Sequence, residues 1–282
     1  MRIKSLLLLC IAAMLCSSTF AHDRYILPSH TVLSGDAPQS VTFSSSISND
    51  VFHPDRALGD NGKGVQHERL KGLFAVLDTV AILPNGEKQA MSWQAFTRQS
   101  VADLQLTKSG TYRVCIVQPQ TKLVTFTKAD GSHGRVYGGK GTIPTDASDI
   151  VRRTTSTRVE TYVTLNEPNQ DAFKPMGQGL ELTGDKHPND LFTNEATSFQ
   201  LVYNGKPVGA DVEVTLVRGG TRHRNARVPH ALKTNSDGVF EVTFNEPGFY
   251  LLHSSHTQDG AEGSDVDKHH NILFVTLEVF PE

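Results

Sequence analysis

Cysteine is nearly absent from this chain of 282 residues: there are three, and Cys10 and Cys16 lie near its start. Beyond residue 21 only Cys115 remains, so no internal disulfide is possible there and stability must come from burial. Long apolar runs are equally scarce. The one from Ile3 through Leu15 falls short of the roughly 20 residues that a membrane helix needs, and nothing later in the chain supplies them. Basic excess is missing, which excludes nucleic-acid binding through the overall field. Gly-x-Ser-x-Gly, His-Glu-x-x-His and a cysteine nucleophile are all lacking, and no spacing of Asp and Glu points to paired acid–base work. Gly138-Gly139-Lys140-Gly141 lacks the Walker spacing and a following helix, so it is not read as a phosphate loop.

The first 21 residues instead read as a secretory signal. Arg2 and Lys4 form a charged region, the apolar run follows, and Ser17-Ser18-Thr19-Phe20-Ala21 is a small-residue cleavage site. Thr19 and Ala21 fit the minus-three and minus-one positions, which places the cut between Ala21 and His22. A lipoprotein is disfavoured, because Leu9 and Leu15 stand before the two early cysteines where a lipobox has a small residue. Without the signal, 25 basic side chains face 30 acidic ones, a formal charge of −5. The expected location is the periplasm.

Short alternating segments divided by Gly, Pro, Asn and Asp dominate the rest, and helical periodicity is scarce. Val41-Thr42-Phe43, Phe74 to Leu77, Val80 to Leu83 and Tyr112 to Val117 have strand length and composition. On the last of these, Tyr112, Val114 and Ile116 share one face, and Cys115 on the other is read as a buried hydrophobe. The C-terminal third predicts strands at Ser198 to Tyr203, Ala210 to Val217, Val239 to Phe244, Phe249 to His253 and Ile272 to Phe280. Asn204-Gly205 and Asp237-Gly238 are turns between them. The expected fold is all-β: two β-sandwich domains, the C-terminal one immunoglobulin-like or transthyretin-like. A signal at 1–21, an N-terminal sandwich at 22–176 and a C-terminal one at 177–282 are divided within the Pro- and Gly-bearing stretch Asn166 to Gly179. Asn49 to Lys71 and Thr127 to Ile150 resist the strand reading and are expected to be long loops.

Histidine is the chemically distinctive residue, with 12 in the chain, all after residue 21. An N-terminal His22 offers an imidazole and a free amine of pKa about 7.7–8.0, so one residue supplies a metal chelate near neutral pH. The competing reading is a frayed terminus, or His22 paired with Asp23. A second group lies near the C-terminus: His253 and His256, an acidic loop with Asp259, Glu262, Asp265 and Asp267, then His269-His270. Imidazole with carboxylate is hospitable to nickel, cobalt, copper or zinc, although the spacing matches no metal signature. Residues three apart on a strand point to opposite faces, so His253 and His256 share an ion only if the strand ends between them. The bland alternative is a set of surface histidines beside a solvated loop. The candidate metal ligands are His22, His53, His253, His256, His269 and His270.

Ala21-His22-Asp23 followed by an aromatic, Leu27-Pro28-Ser29, Gly179 to Leu182 through His187-Pro188-Asn189-Asp190-Leu191, Gly205-Lys206-Pro207-Val208, Asp237-Gly238 and Pro247 to Leu252 together resemble a known family. It is a bacterial periplasmic domain-of-unknown-function family once described as the periplasmic component of nickel or cobalt uptake (NikM-like). The resemblance covers essentially the whole chain after residue 21. It implies a secreted two-domain β protein linked to transition-metal acquisition, with an envelope transporter or outer-membrane receptor as partner. It also implies that His187-Pro188 belongs to a structural turn, where the histidine caps or packs. Tyr25 departs from a tryptophan common in the family, and His269-His270 matches no family motif. Two functions stay open: a transition-metal-binding protein, or a non-catalytic module that binds a protein or glycan partner. A copper-dependent oxidase using the terminal histidine is the third, since open coordination positions do not show in a sequence.

Overall fold

The computed structural model describes residues 22–59, 74–139 and 141–282. The expected signal, the 60–71 part of the first loop and Lys140 lie outside the described residues. Strands in chain order are β1 (Asp23–Pro28), β2 (Val32–Leu33), β3 (Gln39–Ser48), β4 (Arg56–Ala57), β5 (Asp78–Ile82) and β6 (Lys88–Ala90). Next come β7 (Gln94–Ala95), β8 (Ser100–Leu106), β9 (Gly110–Thr127), β10 (His133–Tyr137), β11 (Ser148–Leu165), β12 (Leu180–Thr183) and β13 (Ala196–Tyr203). The last are β14 (Lys206–Pro207), β15 (Glu213–Arg218), β16 (His230–Lys233), β17 (Val239–Thr243), β18 (Gly248–Asp259) and β19 (Lys268–Val279).

Three layers result. A ten-stranded sheet runs β16-β15-β18-β19-β11-β9-β5-β6, with β10 on β9 and β2 on β11. On one face a five-stranded sheet, β1-β3-β8-β7 with β4, closes a core around Ile26, Phe43, Leu104, Val114, Val159, Leu251 and Phe274. On the other, β12-β13-β14 with β17 closes a core around Leu182, Phe199, Phe240, Leu252, Leu273 and Val275. Leu251 and Leu252 are neighbours that serve different cores, as the period of two along a strand requires. The all-β sandwich expectation therefore holds, and the two sandwiches share their middle sheet. β11 and β19, from either side of Met176, pair in parallel from Arg153 opposite Lys268 to Thr161 opposite Thr276.

Each half contains the same corner. Tyr112 Oη donates to the Lys108 carbonyl at 2.9 Å, and Tyr250 Oη to that of Glu246 at 2.7 Å. Each tyrosine follows a glycine at positive φ, Gly110 at 121° and Gly248 at 125°, which opens its strand. A tyrosine bonding the backbone just upstream is a hallmark of immunoglobulin-like sandwiches.

Two expected segments differ. Phe74 to Leu77 is not a strand: Phe74 is helical and Ala75-Val76 a turn, with Phe74 buried against Ala57 and Ala95, so the apolar side chain packs without extending the backbone. Thr127 to Ile150 is not one long loop: β10 pairs with β9, and β11 starts at Ser148. Gly134 hides this strand in the sequence but suits it, because the Phe126 ring lies over it, 2.3 Å from where a Cβ would stand.

The Asp237-Gly238 turn shows how local chemistry sets pairing. Asn235 Oδ1 accepts from the Asp237 and Val239 amides at 2.9 and 3.0 Å, and Gly238 takes φ 73°. A Cβ on Gly238 would lie 2.7 Å from the Leu201 carbonyl oxygen. Gly238→Ala is expected to lower stability by about 1–3 kcal/mol, read as a fall in the urea midpoint at unchanged m value.

Candidate functional site

β1 enters the fold at its first residues. Antiparallel pairing sets Asp23 opposite Ser48 and brings His22 beside Asn49, whose Oδ1 lies 2.7 Å from His22 Nδ1. Asn49 is itself held, donating from its backbone N and its Nδ2 to Asp55 Oδ2 at 2.8 and 3.0 Å. His22 is exposed, whereas Asp23 is only 6% exposed and pairs with Arg227 Nη2 at 2.5 Å. That ion pair ties β1 to the stretch between β15 and β16. Beneath it Phe52 stands edge-on to Tyr25 and Phe249, at centroid distances of 5.3 and 6.2 Å. Phe52 adopts φ 59°, the left-handed region that a bulky side chain rarely enters, so the Asp50–His53 turn is strained. The Ser48 hydroxyl steadies it by donating to the Asp50 and His53 carbonyls. His53 Nε2 is buried and has no hydrogen-bond partner among the described residues.

His253 belongs to the same corner. Its ring stacks on Phe274 at 4.7 Å and 16°. Burial pulls its pKa down, as do the charges of His270 and Arg227, and Asp23 opposes them. His270 faces the same side, its Nδ1 2.9 Å from Thr257 Oγ1, and burial followed by Arg153 lowers its pKa.

The other two candidates are placed elsewhere. β18 runs unbroken from Gly248 to Asp259, so His256 points to the opposite face from His253, where its ring meets Tyr203 at 5.3 Å. His269 pairs with Gln258 and points to that opposite face too, with Nδ1 2.7 Å from Thr154 Oγ1. The expected C-terminal histidine cluster is thus divided by the sheet that carries it. Two of its acidic residues have structural partners: Asp265 binds Lys122 at 2.6 Å, and Asp267 Oδ2 accepts from the Arg152 amide at 2.6 Å. Among the described residues, no three side chains of His, Cys, Asp or Glu converge as a ligating group. His22, His53 and His253 are the candidate histidines placed toward the N-terminal corner.

Asp23, a candidate partner for His22, pairs with Arg227 instead, and Asn49 and Arg227 went unnoticed in the sequence. A signal for the last exists: Arg218 to His230 holds Arg218, Arg222, Arg224 and Arg227 with His223 and His230.

A family model described as a domain of unknown function (DUF4198) matches residues 19–258. The chain belongs to the DUF4198 family. The DUF4198 match takes in His22, His53, His253 and His256 and stops before His269 and His270. No curated protein matches the chain. Solved structures similar to this DUF4198 protein include the D0-D1 domain of intimin, at 12% identity and TM-score 0.21 over 90% of this chain and 97% of that one. A teleost fish polymeric Ig receptor ectodomain follows at 7% and 0.19, over 92% and 99%. The Bacillus anthracis TIE protein stands at 10% and 0.17, over 94% of this chain and 41% of that one. TM-scores this low lend nothing to the function of the DUF4198 chain.

Proposed function

We propose that this protein is a non-catalytic, periplasmic transition-metal-binding protein, an accessory to nickel, cobalt or copper uptake or handling. The observation that supports this most is the anchoring of residue 22. His22 is exposed, yet the next residue is buried, ion-paired to Arg227 and in register with Ser48. Cleavage after Ala21 therefore creates an amine on a tethered terminus instead of a frayed one, and less ordering entropy opposes binding. The amine and the ring of His22 form the chelate, displacing the exposed Asn49 contact. His53, with its orphaned Nε2, and His253 are the candidates for a further nitrogen. Nitrogen donors favour copper by the Irving–Williams order, and supply in the compartment decides among copper, nickel, cobalt and zinc. The resemblance to a nickel- and cobalt-uptake component supports an envelope transporter or outer-membrane receptor as the partner that takes the ion onward.

Calorimetric titration of the mature protein with each metal tests this. His22→Ala is expected to weaken binding by about tenfold or more, with His256→Ala and His269→Ala close to wild type. Binding that survives His22→Ala and is lost in His269→Ala overturns the proposal. Affinity also falls as pH drops below about 8, because the amine must lose its proton to bind.

A further inference from the structure

A cleft of about 320 Å³ opens where β9 and β11 part company, and it involves none of the N-terminal corner. Their register steps from Thr157 opposite Gln118 to Thr155 opposite Thr121, so β9 carries an extra residue at Pro119-Gln120 and bulges. Bulges of this kind re-aim side chains and recur beside binding sites. The cleft is walled by Gln118 and Gln120 of β9, Arg158 of β11, Asn271 of β19, Gln178 of the linker and Asn204 of the β13–β14 turn. Its volume is at the small end of ligand pockets.

One buried residue in its wall carries orphaned polar atoms. Arg158 is 4% exposed, and its Nε and Nη1 have no hydrogen-bond partner among the described residues. Its Nη2 donates to the Gln178 carbonyl at 2.8 Å. Burial of a guanidinium with idle N–H groups is unfavourable unless something in the cleft accepts from them.

The surrounding charge selects the ligand. Glu160 and Glu181 approach Arg158 only at 4.0 and 3.8 Å, since both hydrogen-bond Arg113. Two arginines and two glutamates balance, and Asp78 adds a negative charge to the cleft wall, so an anion finds no net positive field. Besides the N–H given to Gln178, Arg158 has Nε and Nη1 N–H groups on different edges of the guanidinium, which can serve separate hydroxyl oxygens. Gln120, Gln178 and Asn204 add amides that both donate and accept. We infer that this cleft binds a neutral, polyhydroxylated ligand of sugar size, either free or as a unit of a glycan chain.

Saturation-transfer NMR on the mature protein, with neutral hexoses, a neutral disaccharide, a uronic acid and acetate as probes, tests the inference. The neutral sugars are expected to receive saturation and to shift the side-chain amide signals of Gln178 and Asn204. Gln120→Trp, which fills the mouth from an exposed position, and Arg158→Met are each expected to weaken binding about tenfold or more. A disaccharide that binds more tightly than its monosaccharide identifies a glycan chain, and equal binding identifies the free sugar. Absence of sugar binding, preference for the two carboxylates, or binding unchanged in Gln120→Trp overturns the inference. The readout is separate from metal affinity, so the two proposals fail independently.

Discussion

Arg113→Met is expected to lower the unfolding free energy by about 3–5 kcal/mol, the usual cost of breaking a buried ion pair from one side. Arg113 is fully buried within the ten-stranded sheet, its Nε and Nη2 donating to Glu160 Oε2 at 2.9 and 2.6 Å and its Nη2 to Glu181 Oε1 at 3.3 Å. Burial alone would lower its pKa, but Glu160 first and then Tyr162, Cys115 and Glu181 outweigh it and hold the guanidinium charged. Methionine fills much of the same space and leaves two carboxylates in the core with Arg158 alone, beyond hydrogen-bond reach of both. The group also fastens the linker. Glu181 accepts from the amides of Met176, Gly177 and Gln178, and Arg113 reaches the Lys174 carbonyl. Urea denaturation reads the loss directly. Pairing Arg113→Met with Glu160→Met is expected to recover part of it, because the second change removes an orphaned charge. A loss below about 1 kcal/mol would mean that the pair is solvated like a surface one.

Acid is expected to destabilise the protein through His187. This imidazole is 5% exposed, accepts from the Asn189 amide at Nδ1 (3.1 Å) and contacts Thr111 Oγ1 through Nε2 (2.9 Å). Burial lowers its pKa from 6.5 to about 4, against weaker opposing contributions from Asn169 and Asp190. The folded state therefore keeps the ring neutral where the unfolded chain would protonate it. The contribution is complete above pH 6.5 and drains away as pH falls toward 4, reaching about 3 kcal/mol. Urea midpoints at pH 7 and pH 4.5 check this: His187→Gln is expected to shrink the difference between them, and an unchanged difference would assign the acid sensitivity to carboxylates.

His187 also shows what the sequence made legible. Its place before Pro188 in a structural turn is what the family resemblance implies, and the turn is there, with the Asn189 amide donating to its ring. Strand faces were readable wherever alternation was clean: Tyr112, Val114 and Ile116 enter one core, while Cys115 lies buried on the other side with its thiol pKa pushed up to about 11. The shared middle sheet was not readable. Its seam joins β11 to β19, segments some hundred residues apart that no local pattern connects. Arg113, Arg158, Glu160 and Glu181 look like the solvated face of their strands, because alternation reports that a side differs without saying that water lies there. The tyrosine corners left a trace in Gly110-Thr111-Tyr112 and Gly248-Phe249-Tyr250 that went unread.

At the proposed site the sequence pointed to His22 through its likeness to a cleaved signal, and the fold added what a sequence cannot: Asn49 beside the ring and Asp23 locked to Arg227. It also separated His253 and His270 from His256 and His269. What distinguishes a terminal chelate from an ordinary surface histidine is the amine. The most direct measurement is metal affinity by calorimetry for the protein beginning at His22 and for the same protein with one alanine added ahead of it. The extension keeps every side chain and moves the amine away from the ring, so affinity is expected to fall by about tenfold or more. Equal affinity for the two forms would contradict metal capture at the mature N-terminus.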